Sequence, residues 1–303
     1  MHLLVYQRWL FVFVLLTSCS TNKLLVSVTE NPPATSSTLT EGIPTKLEDS
    51  QIDINSLIGK IVYSSEGDVY VVNADGSAQS NLSNAPGTDY SPAWSPDGQW
   101  IAFNSDRDGN GNLWIIKPDG SGLRQVTDIP GISEYPTWSP DSSQIAFHCT
   151  FGRILSNGTG DFEICVVNVD GTGLIQLTDT PGENKLPAWS PDGNKLAFQS
   201  NRNGWPTLPD YVPLGYDPGQ FGDYEIYRMN IDGSGQTNLT NNPGEDDSFA
   251  AWSRDGYLVF SRYGCLMVMN DDGSGLAQVG SCEDGVQFPD WHQPIKTRHQ
   301  VSS

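Results

Sequence analysis

One short pattern recurs along the chain and constrains it more than any other feature. Tyr90-Ser91-Pro92-Ala93-Trp94-Ser95-Pro96-Asp97-Gly98 returns as Tyr135-Pro136-Thr137-Trp138-Ser139-Pro140-Asp141-Ser142, as Leu186-Pro187-Ala188-Trp189-Ser190-Pro191-Asp192-Gly193, and as Phe249-Ala250-Ala251-Trp252-Ser253-Arg254-Asp255-Gly256. A degenerate fifth copy is Phe288-Pro289-Asp290-Trp291-His292. A second motif, Asp-Gly-Ser-Gly or close to it, starts at Asp75, Asp119, Asp170, Asp232 and Asp272. Internal repetition of one unit means that each copy buries its apolar face against its neighbours.

Strands can be read within one unit. Ser91 to Ser95 is a first strand, Trp100 to Ser105 a second with alternating apolar positions, Asn112 to Lys117 a third and Arg124 to Thr127 a fourth. Pro96-Asp97-Gly98 and Pro118-Asp119-Gly120-Ser121-Gly122 are the turns between them. Pro presets φ and Gly supplies the positive φ that such turns need, and Asp bonds nearby backbone amides. The repeated aspartates Asp97, Asp141, Asp192 and Asp255 therefore read as structural, and the repeated tryptophans as packing between units. The tryptophans lie about 40 to 60 residues apart, the period of a four-stranded blade with insertions. The abundant turn formers, 31 Gly and 20 Pro in 303 residues, agree with many short strands.

The first unit, from Lys60 to Gly76, starts at a second strand and lacks the tryptophan strand, whereas the chain ends with an orphan one around Trp291. Together they complete one blade. The predicted fold is all-β, a β-propeller of five four-stranded blades closed by the C-terminal strand, with six blades as the alternative; closure removes exposed sheet edges.

The run Trp94-Ser95-Pro96-Asp97-Gly98, then Ile101-Ala102-Phe103-Asn104-Ser105-Asp106-Arg107-Asp108-Gly109, then a strand ending in Asp119-Gly120-Ser121-Gly122 resembles the TolB-type propeller repeat, a relative of WD-repeat blades. The resemblance covers residues 60 to 293. Members of that family are mostly six-bladed. The resemblance implies a propeller that binds something, usually a protein.

The N-terminus reads as an export signal. His2 and Arg8 precede an apolar run from Trp9 to Leu16, too short to span a bilayer, and Leu16-Thr17-Ser18-Cys19 resembles a bacterial lipobox. Residues 1–18 are then a lipoprotein signal peptide, with Cys19 the lipidated anchor. Residues 19–55, rich in Ser, Thr, Asn and Pro, form a flexible stalk; 56–295 form the propeller and 296–303 a disordered tail. The predicted location is exported and lipid-anchored to a bacterial membrane, the outer membrane in a Gram-negative cell, facing the periplasm or the exterior.

An exported chain can pair its remaining cysteines. Cys149 ends a second strand and Cys165 sits in the adjoining third, while Cys265 begins a third strand and Cys282 lies just past its fourth. Antiparallel neighbours meet, so the expected disulfides are Cys149 with Cys165 and Cys265 with Cys282.

A formal charge of −20 argues against nucleic acid, whose phosphates need clustered Lys and Arg. The loop-face candidates for ligand binding are Asp89, Glu134, Glu183 and Asp247, predicted to ring the channel mouth, with Trp205, Tyr211 and Tyr216 in the long insertion from Asn201 to Tyr224. Asp106, Asp108 and Asn110 match half of a calcium loop, but Lys117 stands where the bidentate acid belongs, so calcium is a possible ion at most. No cofactor is otherwise expected.

The predicted function is a monomeric, non-enzymatic scaffold that binds an envelope protein or glycan through its loop face and meets the membrane only through its lipid. The alternative is a five-bladed carbohydrate-active enzyme using Asp89, Glu134 or Asp247 as acid and base. No catalytic residue is assigned, because no Gly-x-Ser-x-Gly elbow or set carboxylate pair is present.

Overall fold

The computed structural model describes residues 59–151, 162–180, 182–203, 224–242, 244–280 and 282. Cys19, the stalk, Trp205, Tyr211, Tyr216 and the Trp291 strand lie outside the described residues. The chain divides into two compact units, one of Met1–Ile61 with Val71–Ser80 and one of Val62–Tyr70 with Asn81–Ser303.

The described part of the first unit carries an Asp-Gly-Ser turn. Backbone N–H and Oγ of Ser77 both donate to Asp75 Oδ1, at 2.9 and 2.6 Å. Asn73 N–H closes the turn on the Ser77 carbonyl at 2.9 Å.

All described elements are strands. After a three-stranded sheet of β1 (Lys60–Ser65), β2 (Asp68–Asn73) and β3 (Ser80–Asn81) come four four-stranded antiparallel sheets. The first joins β4 (Asp89–Trp94), β5 (Ile101–Ser105), β6 (Asn112–Ile116) and β7 (Arg124–Gln125) in chain order. The second joins β8 (Ser133–Trp138), β9 (Gln144–Cys149), β10 (Glu163–Asn168) and β11 (Ile175–Gln176). The third holds β12 (Asn184–Trp189), β13 (Lys195–Ser200), β14 (Glu225–Asn230) and β15 (Thr237–Asn238). The fourth holds β16 (Asp247–Trp252), β17 (Leu258–Arg262), β18 (Cys265–Met269) and β19 (Ala277–Val279). The four strands read from the sequence of one unit thus stand where they were placed, within two residues at most ends.

The repeats explain the packing. Phe103, Phe147, Phe198 and Phe260 occupy one position of the second strand in each sheet, and all are fully buried. Burial of so large a ring is among the biggest single contributions a core position can make, about 3 kcal/mol. Residues from consecutive sheets share clusters: Ala102, Leu113 and Ile115 pack with Trp138, Ile145 and Phe147.

The recurring tryptophan also makes a bond. The indole N–H of Trp138 donates to the Ala93 carbonyl at 3.0 Å, that of Trp189 to Thr137 at 3.2 Å, and that of Trp252 to Ala188 at 3.1 Å. Each acceptor is the residue just before the tryptophan of the preceding sheet. The packing role read from the sequence is therefore also a polar link between sheets.

The turn aspartates act as expected. Asp97, Asp141 and Asp192 each accept the Oγ–H of the serine two residues earlier, at 2.6, 2.6 and 2.5 Å, and a backbone N–H two residues later. These bonds favour the ionised form, so all three carboxyls sit below the usual carboxylate range, Asp192 at about 2. Cys149 is joined to Cys165 and Cys265 to Cys282, the pairing expected from strand adjacency.

Candidate functional site

The first strands of successive sheets lie against one another, β4 on β8, β8 on β12 and β12 on β16. Each carries a bulge at the same place: pairing with the second strand shifts between Tyr90 and Ala93, Glu134 and Thr137, Lys185 and Ala188, and Ser248 and Ala251. The bulged residues Ser91, Tyr135, Leu186 and Phe249 all have positive φ, at 51°, 53°, 51° and 61°. For side chains of this size such a backbone costs about 1 to 2 kcal/mol each, so something must hold it. At two of the four bulges a polar side chain on the second strand of the preceding sheet does so: His148 Nδ1 accepts Leu186 N–H at 3.4 Å and Gln199 Oε1 accepts Phe249 N–H at 3.3 Å.

The bulges line up Tyr90, Glu134 and Lys185 at one position of consecutive first strands. Tyr90 Oη donates to Glu134 Oε1. His148 Nε2 lies 3.3 Å from Glu134 Oε2. Because its Nδ1 accepts from Leu186, the proton sits on Nε2 and is donated to the carboxylate, so the ring is the neutral Nε2–H tautomer. His148 is buried, stacked on Tyr135 with ring centroids 5.0 Å apart and met by the edge of Phe162 at 4.9 Å. Burial drives its pKa below the ordinary value of 6.5, against the pull of Glu134. Burial would raise Glu134, but hydrogen bonds from His148 and Tyr90 and the charge of Lys185 outweigh it and keep this carboxyl ionised below its usual range.

The row continues. Lys185 Nζ is 2.7 Å from Glu183 Oε2 and 4.5 Å from the centre of the Phe162 ring. Tyr224 Oη donates to Glu183. Burial and the adjacent carboxylates raise the pKa of both Tyr90 and Tyr224, which stay protonated donors. The side chains of Glu134, Glu183 and Lys185 keep 20%, 15% and 22% of their surface exposed. The result is a partly open row of alternating charge flanked by aromatic faces.

Two candidates named from the sequence stand elsewhere. Asp89 is buried and held by both oxygens on Arg107 Nη2, at 2.9 and 3.0 Å. Asp247 is buried on Arg262, at 2.6 and 2.7 Å. Asn184 takes the same position in the third sheet and accepts from Arg202 at 2.6 Å. The expected ring of negative charge is thus reduced: Glu134 and Glu183 share the row, whereas Asp89 and Asp247 are neutralised inside their sheets. Arg107 and Arg262, at or just past the ends of β5 and β17, could not be paired with these aspartates without the fold.

The calcium candidates are committed to the turn. Asp106 Oδ1 accepts Thr88 N–H at 2.5 Å, Asp108 accepts Asn112 Nδ2 at 2.9 Å and Gln125 Nε2 at 2.7 Å, and Asn110 donates its N–H to Asp108. Among the described residues no group of three His, Cys, Asp or Glu is placed to hold a metal ion. Tyr90, His148, Lys185 and Tyr224 were not singled out from sequence. For Tyr90 and Lys185 the signal was variation: in an otherwise constant repeat, the residue four before each tryptophan is Tyr, Glu, Lys and Ser in turn.

The family described as the TolB beta propeller domain matches residues 52–146 and 121–212. The chain belongs to that family. Among solved structures, a putative TolB from Agrobacterium tumefaciens is 23% identical with a TM-score of 0.58, over 72% of this chain and 76% of that one. TolB from Acinetobacter baumannii is 18% identical with a TM-score of 0.56, over 75% of this chain and 54% of that one. A puromycin-hydrolyzing peptidase from Mycobacterium tuberculosis is 17% identical with a TM-score of 0.54, over 72% of this TolB-type chain but 36% of the peptidase. Dipeptidyl-peptidase 5 of Porphyromonas gingivalis is 48% identical over 42 residues, which are 14% of this chain and 6% of that protein. At this level of identity the solved structures speak for the fold, and the two peptidases share only a minor part of their length with this TolB-type propeller.

Proposed function

We propose that this TolB-type propeller is a binding scaffold of the bacterial envelope, anchored through Cys19, whose recognition surface is the row Tyr90, Glu134, Lys185, Glu183 and Tyr224. The observation that carries the reading is that row itself: half-buried charges of both signs, fixed by aromatic rings and buried hydrogen bonds, present a rigid polar face of the kind that selects a partner. The hairpin connections β9 to β10 and β13 to β14, the longest between second and third strands, leave the sheets beside it, and the second holds Trp205, Tyr211 and Tyr216. The two disulfides fit an exported protein. An envelope protein or glycan is the partner class that follows.

The enzymatic reading is less well supported. Asp89 and Asp247, two of its three acid and base candidates, are each held on a guanidinium, which takes both out of the row.

The same reading includes ring closure by Phe288 to His292 as the missing first strand of the β1–β2–β3 sheet. Trp94 Nε1 is buried with no hydrogen-bond partner among the described residues. By the rule that pairs every other repeated indole, its acceptor would be the carbonyl of Asp290.

The test is capture from an envelope extract on the immobilised full chain, compared with a Lys185→Glu variant and with one lacking residues 204–223. A partner retained by the native chain and lost from both variants is the expected result. Equal capture by all three would overturn the reading.

A further inference from the structure

The sheets have a second end, where the Trp-Ser-Pro-Asp-Gly turns lie, and there the fourth sheet departs from the repeat. In three units Ser-Pro-Asp is followed by three residues before the buried aliphatic that opens the core run (Ile101, Ile145, Leu196 in β5, β9 and β13), but Ser253-Arg254-Asp255 is followed by only Gly256 and Tyr257 before Leu258. The turn is one residue shorter, and Arg254 replaces a proline. The serine bonds that close the other turns persist: Ser253 N–H donates to the Tyr257 carbonyl at 2.8 Å and Ser253 Oγ accepts Tyr257 N–H at 2.9 Å, as Ser95 does with Trp100 at 2.9 Å each. The shortened turn is held by these bonds without its aspartate.

Asp255 consequently makes none of the bonds that occupy Asp97, Asp141 and Asp192, and Arg254 has no carboxylate within salt-bridge distance among the described residues. Tyr257 is 46% exposed. All three line one cavity of about 540 Å³ between the third and fourth sheets, lined also by Trp252 and by the pair Lys195–Asp271, joined at 2.5 Å. Every departure from the repeat in this turn therefore converges on a single open polar cavity, and the groups it frees are a carboxylate, a guanidinium and an aromatic face.

We infer that this cavity is a second binding site, distinct from the row at the hairpin end, and that it takes a neutral saccharide unit. A free carboxylate accepts from vicinal hydroxyls and a guanidinium donates to hydroxyl and acetamido oxygens in a planar fork. Tyr257 offers a surface on which a pyranose ring can lie with its hydroxyl edge toward these groups. A cavity of this size holds one or two sugar rings. The wall carries four aspartates against Lys195 and Arg254, so a ligand with net negative charge is disfavoured. This site does not rest on the row described above, and the two fail independently.

The test uses the purified full chain in saturation-transfer NMR and tyrosine fluorescence, with maltotriose and tri-N-acetylchitotriose as probes and triglycine as the zwitterionic comparison. The expected result is transfer to the ring protons of one trisaccharide with a Kd of about 1 mM. That Kd rises at least about tenfold in both Tyr257→Ala and Arg254→Pro, which restores the residue of the other repeats, and is unchanged in Asp97→Asn. The inference is overturned by no transfer from either trisaccharide at about 10 mM, by transfer that persists in both variants, or by triglycine binding in their place.

Discussion

The Nδ1 atom of His148 accepts the backbone N–H of Leu186 at 3.4 Å, and this one contact joins two sheets while fixing which nitrogen of the ring is protonated. A proton added at Nδ1 removes the acceptor and places charge in a site walled by Tyr135 and Phe162. Glu134 would welcome that charge and Lys185 oppose it, while Glu183 adds a weaker attraction.

Stability should therefore depend on pH through this residue. The folded pKa of His148 lies below its unfolded value near 6.5, so the unfolded chain binds the proton more readily. The contribution of the neutral ring is complete above pH 6.5 and is lost as pH falls from there through the depressed folded value. Glu134, also depressed in the fold, adds a loss in the same direction at lower pH, below its usual 4.5. Gln199 does the work of His148 in the next sheet, so His148→Gln keeps an acceptor for Leu186 and a donor for Glu134. Urea midpoints between pH 5 and 8 should fall on acidification in the native chain and stay nearly level down to pH 5 in the variant.

The tryptophans offer an internal contrast. Trp138→Phe and Trp189→Phe each remove an inter-sheet hydrogen bond, and each leaves a partly buried carbonyl, Ala93 or Thr137, short of a donor; the expected cost is about 1 to 3 kcal/mol. Trp94 has no such bond among the described residues, so Trp94→Phe should cost less if its indole is free. If the segment around Trp291 closes the ring onto it, the cost should match that of the other two, and deleting residues 286–303 should bring the cost of Trp94→Phe below theirs. Chemical denaturation of the three variants with and without the deletion measures both.

Asp89 and Arg107 test the difference between a structural and a ligand carboxylate. Asp89→Leu leaves the Arg107 guanidinium without its carboxylate in a buried setting, with only Ser105 Oγ and the Phe103 and Trp114 rings beside it, and should cost about 3 to 5 kcal/mol. Asp89→Asn should be far milder, because Asn184 already holds Arg202 at the same position. Neither change should alter partner capture once the loss of folded protein is allowed for. Selective loss of capture in a fully folded Asp89→Asn chain would return Asp89 to the binding surface.

What the sequence made legible was whatever repeats. The tryptophan strand, the Ser-Pro-Asp turns and the disulfide hairpins all depend on contacts within one unit or between identical positions of two, so their periodicity discloses them. The row was hidden for the opposite reason. Tyr90, Glu134 and Lys185 are chemically unlike, and only the side-by-side placement of β4, β8 and β12 makes them neighbours. His148 was hidden further, because its role is to bond the backbone of a bulge, and a bulge leaves no mark when the residue with positive φ is Tyr or Leu and not Gly. The acidic candidates were placed in loops before the first strands, but Glu134 lies within β8 and only Glu183 precedes its strand, and nothing in the spacing of Asp89 and Arg107 separates a buried pair from an exposed charge.

A glycine that the repeat hides in plain view gives the sharpest packing test. Pro86-Gly87, Pro130-Gly131, Pro181-Gly182 and Pro243-Gly244 recur just before each first strand. At Gly131 an added Cβ would stand 1.7 Å from the Thr150 carbonyl oxygen, whose residue also accepts Ile132 N–H through Oγ1 at 3.0 Å and donates its own N–H to the Ile132 carbonyl at 2.8 Å. Those paired bonds fix the two backbones at contact distance, so the clash cannot be relieved by a side chain turning away. Gly131→Ala must push the loop off the end of β9, and about 2 to 3 kcal/mol is expected. Gly98→Ala, with open space around its Cβ and φ of +69°, pays only the backbone preference of about 1 kcal/mol. Urea denaturation of the two variants should rank them in that order. The reverse order would mean that the loop before β8 yields freely, and that the junction between the first and second four-stranded sheets is not held by this close approach.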